Sequence, residues 1–406
     1  MRALLDAGAD LDARREVALT VIERGEESGD SFPGTVLAMA HARFDGLAPE
    51  VRRLLRAASI FGQTFWLGGV ALLLGLRADA PELAQWLSEL VEQEIVEPRA
   101  ASRLAEEREY GFRHALLQNA AYSLLVATDA ETGHRLASQY LEGSGETDGM
   151  MIGDHAERGG DAARARVFFT QAAEQAFTRY DLAGALSRAE RALRCEPEGE
   201  ALGTLYALKS AVLIWSNEFA EGFGLGQQSL ALLPSGATWW CRAVQNLAIL
   251  ASGLSDPGPM NQLSDRFADT SIGKRSPLAY AQAVATMIME LGIMGDRPRA
   301  RHFLPLAEEA CGLLGNEQVV ARAYLDACCT WQIVCSEPDP YRAYCCGQRG
   351  GRQNRLVEDW RSLIVGDLAL GLAEDELGDN RQAAERIRQV IVLGERLREP
   401  FIAFAG

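Results

Sequence analysis

The chain has 406 residues, too many for one ordinary compact core, so two domains or one domain plus an extended array are the economical readings. Hydrophobic residues make up 48% and charged residues 24%, which excludes a disordered chain, and the longest apolar run, Gly68–Leu76, is too short to span a bilayer. The net charge of -16 repels nucleic acid and anionic lipid, and with Lys209 and Lys274 the only lysines, lysine-dependent phosphate chemistry has almost no material.

Residues 1–32 form a poorly defined N-terminal segment. Ala3–Arg14 has the look of an ankyrin tip without its helix pair, and reads as a short helix with a glycine turn. No charged stretch followed by an apolar one opens the chain, so a signal peptide is not expected and a cytoplasmic location is.

Segment 33–149 reads as helices followed by a small wing. Val36, Leu37, Ala40, Phe44 and Leu47 make a helical stripe, with Pro33 suited to the first turn. Pro49 opens the next helix, with Val51, Leu54, Leu55, Ala58 and Phe61 on one face and Gly62 as its stop. Helical runs at Leu67–Leu74 and Pro81–Gln93 follow. Glu94–Arg99 and Glu109–Arg113 read as two strands joined by a charged loop, and Phe112–Leu125 returns to helix. Helices followed by a two-stranded wing make a winged-helix-like connector, with strand confined to about residues 94–113.

From residue 150 to 406 the pattern is helix pairs, organised around Asp161–Pro197, where two amphipathic helices meet at a turn near Arg179–Asp181. The tetratricopeptide consensus places small residues where two helices cross. Phe169, Ala172, Ala173 and Ala176 fall at its first-helix offsets, and Ala185, Ala189, Ala192 and Pro197 at its second. The pattern recurs with Tyr206, Ser210 and Leu213, then Gly222, Gly226, Ser229 and Pro234. It recurs more loosely at Gly295-Asp296 with Ala300, and at Leu370-Gly371 with Gly378-Asp379 and Ala383. Asp256–Pro259 and Glu337–Pro340 are breaks. Phe401–Gly406 lacks a polar capping helix, so the array is expected to stop part-way and the chain to be a fragment or truncated product. The expected fold is all-α: a winged-helix-like connector with a small β wing, then a tetratricopeptide-like α-α superhelix.

PGTVLAMAHARFDGLAPEVRRLLRAASIFGQTFW, LVEQEIVEPRAA and EYGFRHALLQNAAYSLL together resemble the region after the nucleotide-binding domain of bacterial STAND-type regulatory ATPases. Those are large signalling proteins, often with a protein-kinase or cyclase domain at the N-terminus and tetratricopeptide repeats at the C-terminus. The resemblance covers about Pro33–Pro197, and FRHALLQNAAY is its most specific part; Val17–Gly29 does not match the glycine-asparagine segment and acidic helix that normally come before. It implies a module that senses a protein or peptide, with an upstream nucleotide-binding or kinase domain as a further partner. His114, inside the family-like segment, is the candidate relay of a state change, the alternative being a structural contact.

No catalytic constellation, cofactor site or metal site is legible. A phosphate-binding loop needs glycines and a lysine followed by Ser or Thr; at Gly273-Lys274 the next residue is Arg275, and Ala268 stands at the first glycine position. Kinase, serine-hydrolase and HExxH signatures are missing. Cys328, Cys329, Cys335, Cys345 and Cys346 cluster near His302 in sequence, but adjacent cysteines on a helix diverge, so reduced core thiols are the expectation. Trp239 and Trp240 cannot both face inward on one helix, so one of them, with Arg242, is the candidate anchor for a partner. Trp215 and Trp331 read as core. Three functions compete: a sensor that binds a protein or peptide on the concave face of the repeats, a transcription regulator using the winged helix, and a piece of a longer kinase or ATPase. The acidic balance of Pro81–Arg108, with Glu82, Glu89, Glu92, Glu94, Glu97, Glu106 and Glu107 against Arg99, Arg103 and Arg108, weighs against DNA.

Overall fold

The computed structural model describes residues 34–179, 181–255, 257–267 and 275–397. The readings made for 1–32, for Pro33, for Asp256, for Ala268 and Gly273-Lys274, and for Phe401–Gly406 lie outside the described residues. The chain divides into two compact units, Met1–Phe169 and Thr170–Gly406.

In the first unit the elements are α1 (Gly34–Asp45), α2 (Pro49–Ile60), β1 (Thr64–Trp66), α3 (Leu67–Leu74), α4 (Pro81–Glu92), β2 (Val96–Pro98), β3 (Glu109–Phe112), α5 (Ala115–Ser123), α6 (Ala127–Gly143) and α7 (Gly149–Arg158). Pro49 sits in the first turn of α2, where its missing N–H costs nothing. Val51, Leu54, Leu55 and Ala58 turn inward together, three or four residues apart. Gly62, at a φ of 97°, lets the chain reverse out of α2. The order helix–strand–helix–helix–strand–strand closes on a three-stranded antiparallel sheet, β1-β3-β2.

Strand extends beyond the expected wing. β1 pairs Phe65 with Tyr110 and Trp66 with Glu109, placing β3 in the centre of the sheet. Three residues are too few to show a period of two in sequence. What fixes β1 is tertiary: Phe65 and Trp66 are buried, and the Trp66 indole N–H donates to Glu109 Oε2 at 3.1 Å.

Helix α8 (Ala162–Thr178) crosses the division between the units. Its start is tied into the first unit: Arg164 Nε donates to Ser138 Oγ at 3.1 Å, and the same guanidinium pairs with Glu142. The helix-pair pattern read from residue 150 begins before this division at Phe169/Thr170.

The second unit is a tetratricopeptide-like array. After α8 come α9 (Leu182–Arg194), α10 (Gly199–Trp215), α11 (Phe219–Leu232), α12 (Thr238–Gly253), α13 (Pro257–Phe267), α14 (Pro277–Ile293), α15 (Arg297–Gly312), α16 (Gln318–Ser336), α17 (Pro340–Leu356), α18 (Trp360–Glu376) and α19 (Asn380–Leu397). Each even-numbered helix from α10 to α18 packs on its odd-numbered successor, and α10, α12, α14, α16 and α18 also pack on one another in a row. Asp181, Asp296, Asp339 and Asp379 each accept a backbone N–H at the start of a second helix, a cap worth about 1 kcal/mol.

Small residues sit where pairs cross. Ala173 and Ala185 are fully buried, as are Ala189 and Ala192 on α9, and Arg188 Nη1 donates to the Ala172 carbonyl at 3.3 Å. In the next pair the Ser210 hydroxyl donates to the Gly222 carbonyl at 2.8 Å, and that of Ser229 to the Gly203 carbonyl at 2.9 Å. A Cβ on Gly226 would lie 2.8 Å from Leu247 Cδ2, so α12 closes over the same crossing. Pro197 is buried just beyond α9 and Pro234 half-buried just beyond α11.

Ala185→Leu adds volume at a fully buried position and is expected to lower stability by roughly 1–3 kcal/mol. The urea midpoint of the full chain checks this; an unchanged midpoint would place Ala185 away from the crossing.

Candidate functional site

The row of first helices carries side chains that reach past their nearest neighbours. On α12, Trp240, Val244, Leu247 and Ala251 are buried, while Trp239, Arg242, Gln245 and Ile249 keep some exposure. The two adjacent tryptophans part as helix geometry requires. Trp240 is 2% exposed and stacks on Phe267, ring centroids 5.6 Å apart, which in turn stacks on Tyr280 at 4.8 Å. This corrects the expectation for Trp240 as a possible anchor: a ring 2% exposed and stacked on Phe267 has no free face to offer a partner.

Trp239 is half-buried. Its indole N–H donates to Glu174 Oε1 on α8 at 2.9 Å, and the Arg242 guanidinium lies over its ring, 5.6 Å from the centroid. The interaction skips a pair, joining the first helix of pair one to that of pair three. Burial raises the Glu174 carboxyl pKa, opposed by the Trp239 hydrogen bond and the Arg242 charge.

A second brace skips a pair in the same way. Gln245 Nε2 on α12 donates to the Tyr324 hydroxyl on α16 at 2.6 Å and to Thr286 Oγ1 on α14 at 3.1 Å; the Thr286 and Tyr324 hydroxyls are 2.9 Å apart. Sequence reasoning did not single out these three, since each is one neutral polar residue in a mostly apolar helix. Of the other aromatic candidates, Trp331 is half-buried and donates its indole N–H to the Val365 carbonyl at 2.7 Å, and Trp215 is half-buried.

The cysteines do not converge on a centre. Cys328, Cys329 and Cys346 are buried and Cys335 and Cys345 exposed. Burial pushes the Cys346 thiol up to about 12 and raises Cys328 and Cys329 too, which disfavours the thiolate a metal would need. His302 is exposed and sets its ring edge-on to Phe303 instead of joining them. Among the described residues no three His, Cys, Asp or Glu side chains gather to hold a metal.

In the first unit the FRHALLQNAAY segment lines two clefts. His114 is exposed at the N-cap of α5 and makes no capping hydrogen bond with its side chain. Gln118, Asn119 and Tyr122 face a cleft of about 600 Å³ shared with Asp148, His155 and Arg158. Tyr122 also borders a second cleft of about 590 Å³, with Glu131, His134 and Arg158. Between them runs a hydrogen-bonded line: Tyr122 hydroxyl to His134 Nε2 at 2.8 Å, then His134 Nδ1 to His155 Nδ1 at 2.8 Å. Two imidazoles meeting nitrogen to nitrogen share one proton, so the two cannot both be cationic while the contact holds. Burial, aided by the Arg158 charge, lowers His134 to about 4; burial, then His134 and Arg158, lowers His155 to about 3.

Among solved structures, the chain is similar to a signal transduction ATPase with numerous domains (STAND) from Pyrococcus horikoshii that carries a tetratricopeptide repeat sensor, at 11% sequence identity and a TM-score of 0.56. The likeness covers 91% of this chain and 54% of that one, so the chain spans about half the length of the protein it matches. No family model and no curated protein sequence matches. At this identity the likeness establishes the fold: an all-α chain with a tetratricopeptide-like array.

The histidine pair predicts an acid-labile first unit. With folded values below the ordinary 6.5, the unfolded chain binds protons that the folded one refuses. Stability from this pair is complete above about pH 6.5 and is lost as pH falls through about 4 and 3. An NMR titration of the imidazoles is expected to show two of the five histidines titrating below about pH 5. Ordinary midpoints for both would contradict the buried pair.

Proposed function

We propose that the chain is a non-catalytic sensor and protein-interaction module of a signalling ATPase, and that it binds a protein or peptide on the face made by the first helices of its pairs. The observation that carries this reading is the continuous row from α10 to α18, with the partly exposed Trp239 and Arg242 on it. A half-buried tryptophan beside an arginine is the composition that binding hot spots favour. An upstream nucleotide-binding or kinase domain is the second partner, engaged through the first unit, where His114 stands exposed at the head of α5 as the relay. The chain itself takes no cofactor and works in the cytoplasm. Among the described residues no helix is long and apolar enough to cross a membrane.

The charge on α4 disfavours the transcription-regulator alternative. The helix that a winged-helix reader sets in the major groove here exposes Glu82, Gln85, Ser88 and Glu92 and carries no lysine or arginine. Phosphate contacts need cations, so this surface is expected to stay off DNA.

Photo-crosslinking tests the reading. A benzoylphenylalanine replacing Gln282, one turn from Thr286 on α14, is expected to capture a partner that the same residue replacing Ala384, exposed on α19, does not. Arg242→Glu should weaken that partner by about tenfold or more. Duplex DNA at low salt should leave fluorescence anisotropy flat. Capture from Ala384 alone, or salt-sensitive DNA binding, would overturn the proposal.

A further inference from the structure

Among the described residues the array buries four acidic side chains, and three of them hold arginine. Asp326 on α16 takes Arg349, Nε to Oδ2 at 2.6 Å. On α18, Asp367 takes Arg355 at 2.7 Å and Arg386 at 3.5 Å, and Glu374 takes Arg386 at 2.7 Å. The fourth, Glu290, is 5% exposed and has no ion pair among the described residues. It is the one charged residue type in PLAYAQAVATMIMELGI, the sequence of α14.

Among the described residues, the groups acting on Glu290 are neutral. From α12 the Ser252 hydroxyl hydrogen-bonds to it. From α16 the buried Cys328 and the more exposed Cys335 are near enough to feel its charge, and loss of hydration holds both thiols toward the protonated form. Among the described side chains, no charged group of α13 or α15, the other helices packed on α14, acts on it. One turn earlier on α14 is Thr286, and one turn before Cys328 on α16 is Tyr324, both in the brace that ties α12, α14 and α16 together. A carboxylate buried without a cation is costly, whereas a neutral carboxylic acid with one hydrogen bond is tolerated.

We propose that Glu290 is a proton-linked catch on the first-helix row: protonated, it lets α12, α14 and α16 close on one another, and loss of its proton loosens them. The same burial pushes its carboxyl up to about 7 from the ordinary 4.5, with Ser252 pulling slightly the other way. The sign follows from linkage. Below about pH 4.5 the closed and opened forms are both protonated; between there and about 7 the opened form releases a proton that the closed form keeps. Closure therefore weakens as pH rises through that window and levels off above it. In this range the opening constant grows about tenfold per pH unit, roughly 300-fold in all. Acid tightens the middle of the array, opposite to its effect on the histidine pair of the first unit. This catch concerns the closure of the array and stands whether or not a partner binds there.

Hydrogen exchange of the full chain from about pH 5 to pH 8, corrected for the intrinsic rate, tests it. In the wild type, protection of α12, α14 and α16 should fall by about tenfold per unit up to about pH 7 and then level off. Glu290→Gln should remove that slope while keeping protection. Ser252→Ala, a milder change, should keep the slope and move its end to higher pH. An equal slope in Glu290→Gln, or, should that variant fail to fold, a Ser252→Ala profile identical to the wild type, would overturn the proposal.

Discussion

Close approach at small residues is the constraint on which the array depends. Where the Ser210 hydroxyl reaches the Gly222 carbonyl, α10 and α11 lie too near for a larger side chain, and Gly226 leaves room for Leu247 from the next pair. Such crossings bring the first helices into one row. In a row so tight, side chains from alternate pairs meet. Trp239 reaches Glu174, and Tyr324 reaches Gln245. The candidate binding face is thus built from contacts three helix pairs wide, and what moves one pair strains the braces of another.

Burial of charge divides the two units. In the array, arginine neutralises Asp326, Asp367 and Glu374, and among the described residues one buried acid, Glu290, is left without a cation to bind a proton. In the first unit the buried titratable groups are bases, His134 and His155, kept neutral by the same desolvation. Desolvation always disfavours the charged form, so it raises an acid and lowers a base. One physical cause then gives opposite responses to acid in the two units.

Much of the fold was legible because it is local. The stripe Val51, Leu54, Leu55, Ala58 announces α2, and the proline before it announces where α2 begins. The turns Gly295-Asp296 and Gly378-Asp379 separate paired helices where the repeat pattern put them, since glycine supplies the positive φ and aspartate the cap. β1 was not legible, because its partner strand is more than forty residues away and its own length shows no period. At the candidate site, helix geometry required Trp239 and Trp240 to separate but could not say which turned inward; that depended on Phe267, on another helix. The Gln245–Thr286–Tyr324 brace and the His134–His155 pair join residues that are ordinary where they stand. Glu290 did leave a signal, a lone charge in an otherwise uncharged helix.

Whether alternate pairs hold one another is the point on which this account of the array turns. Pulsed electron-spin distances between labels at the exposed positions 171 on α8 and 341 on α17 of the full chain measure it. The account predicts a narrow distance distribution in the wild type, and a broader one when Tyr324→Phe removes the hydroxyl and Trp239→Phe the indole N–H. The same narrow distribution in that double variant would show that the braces carry no load, and would contradict it.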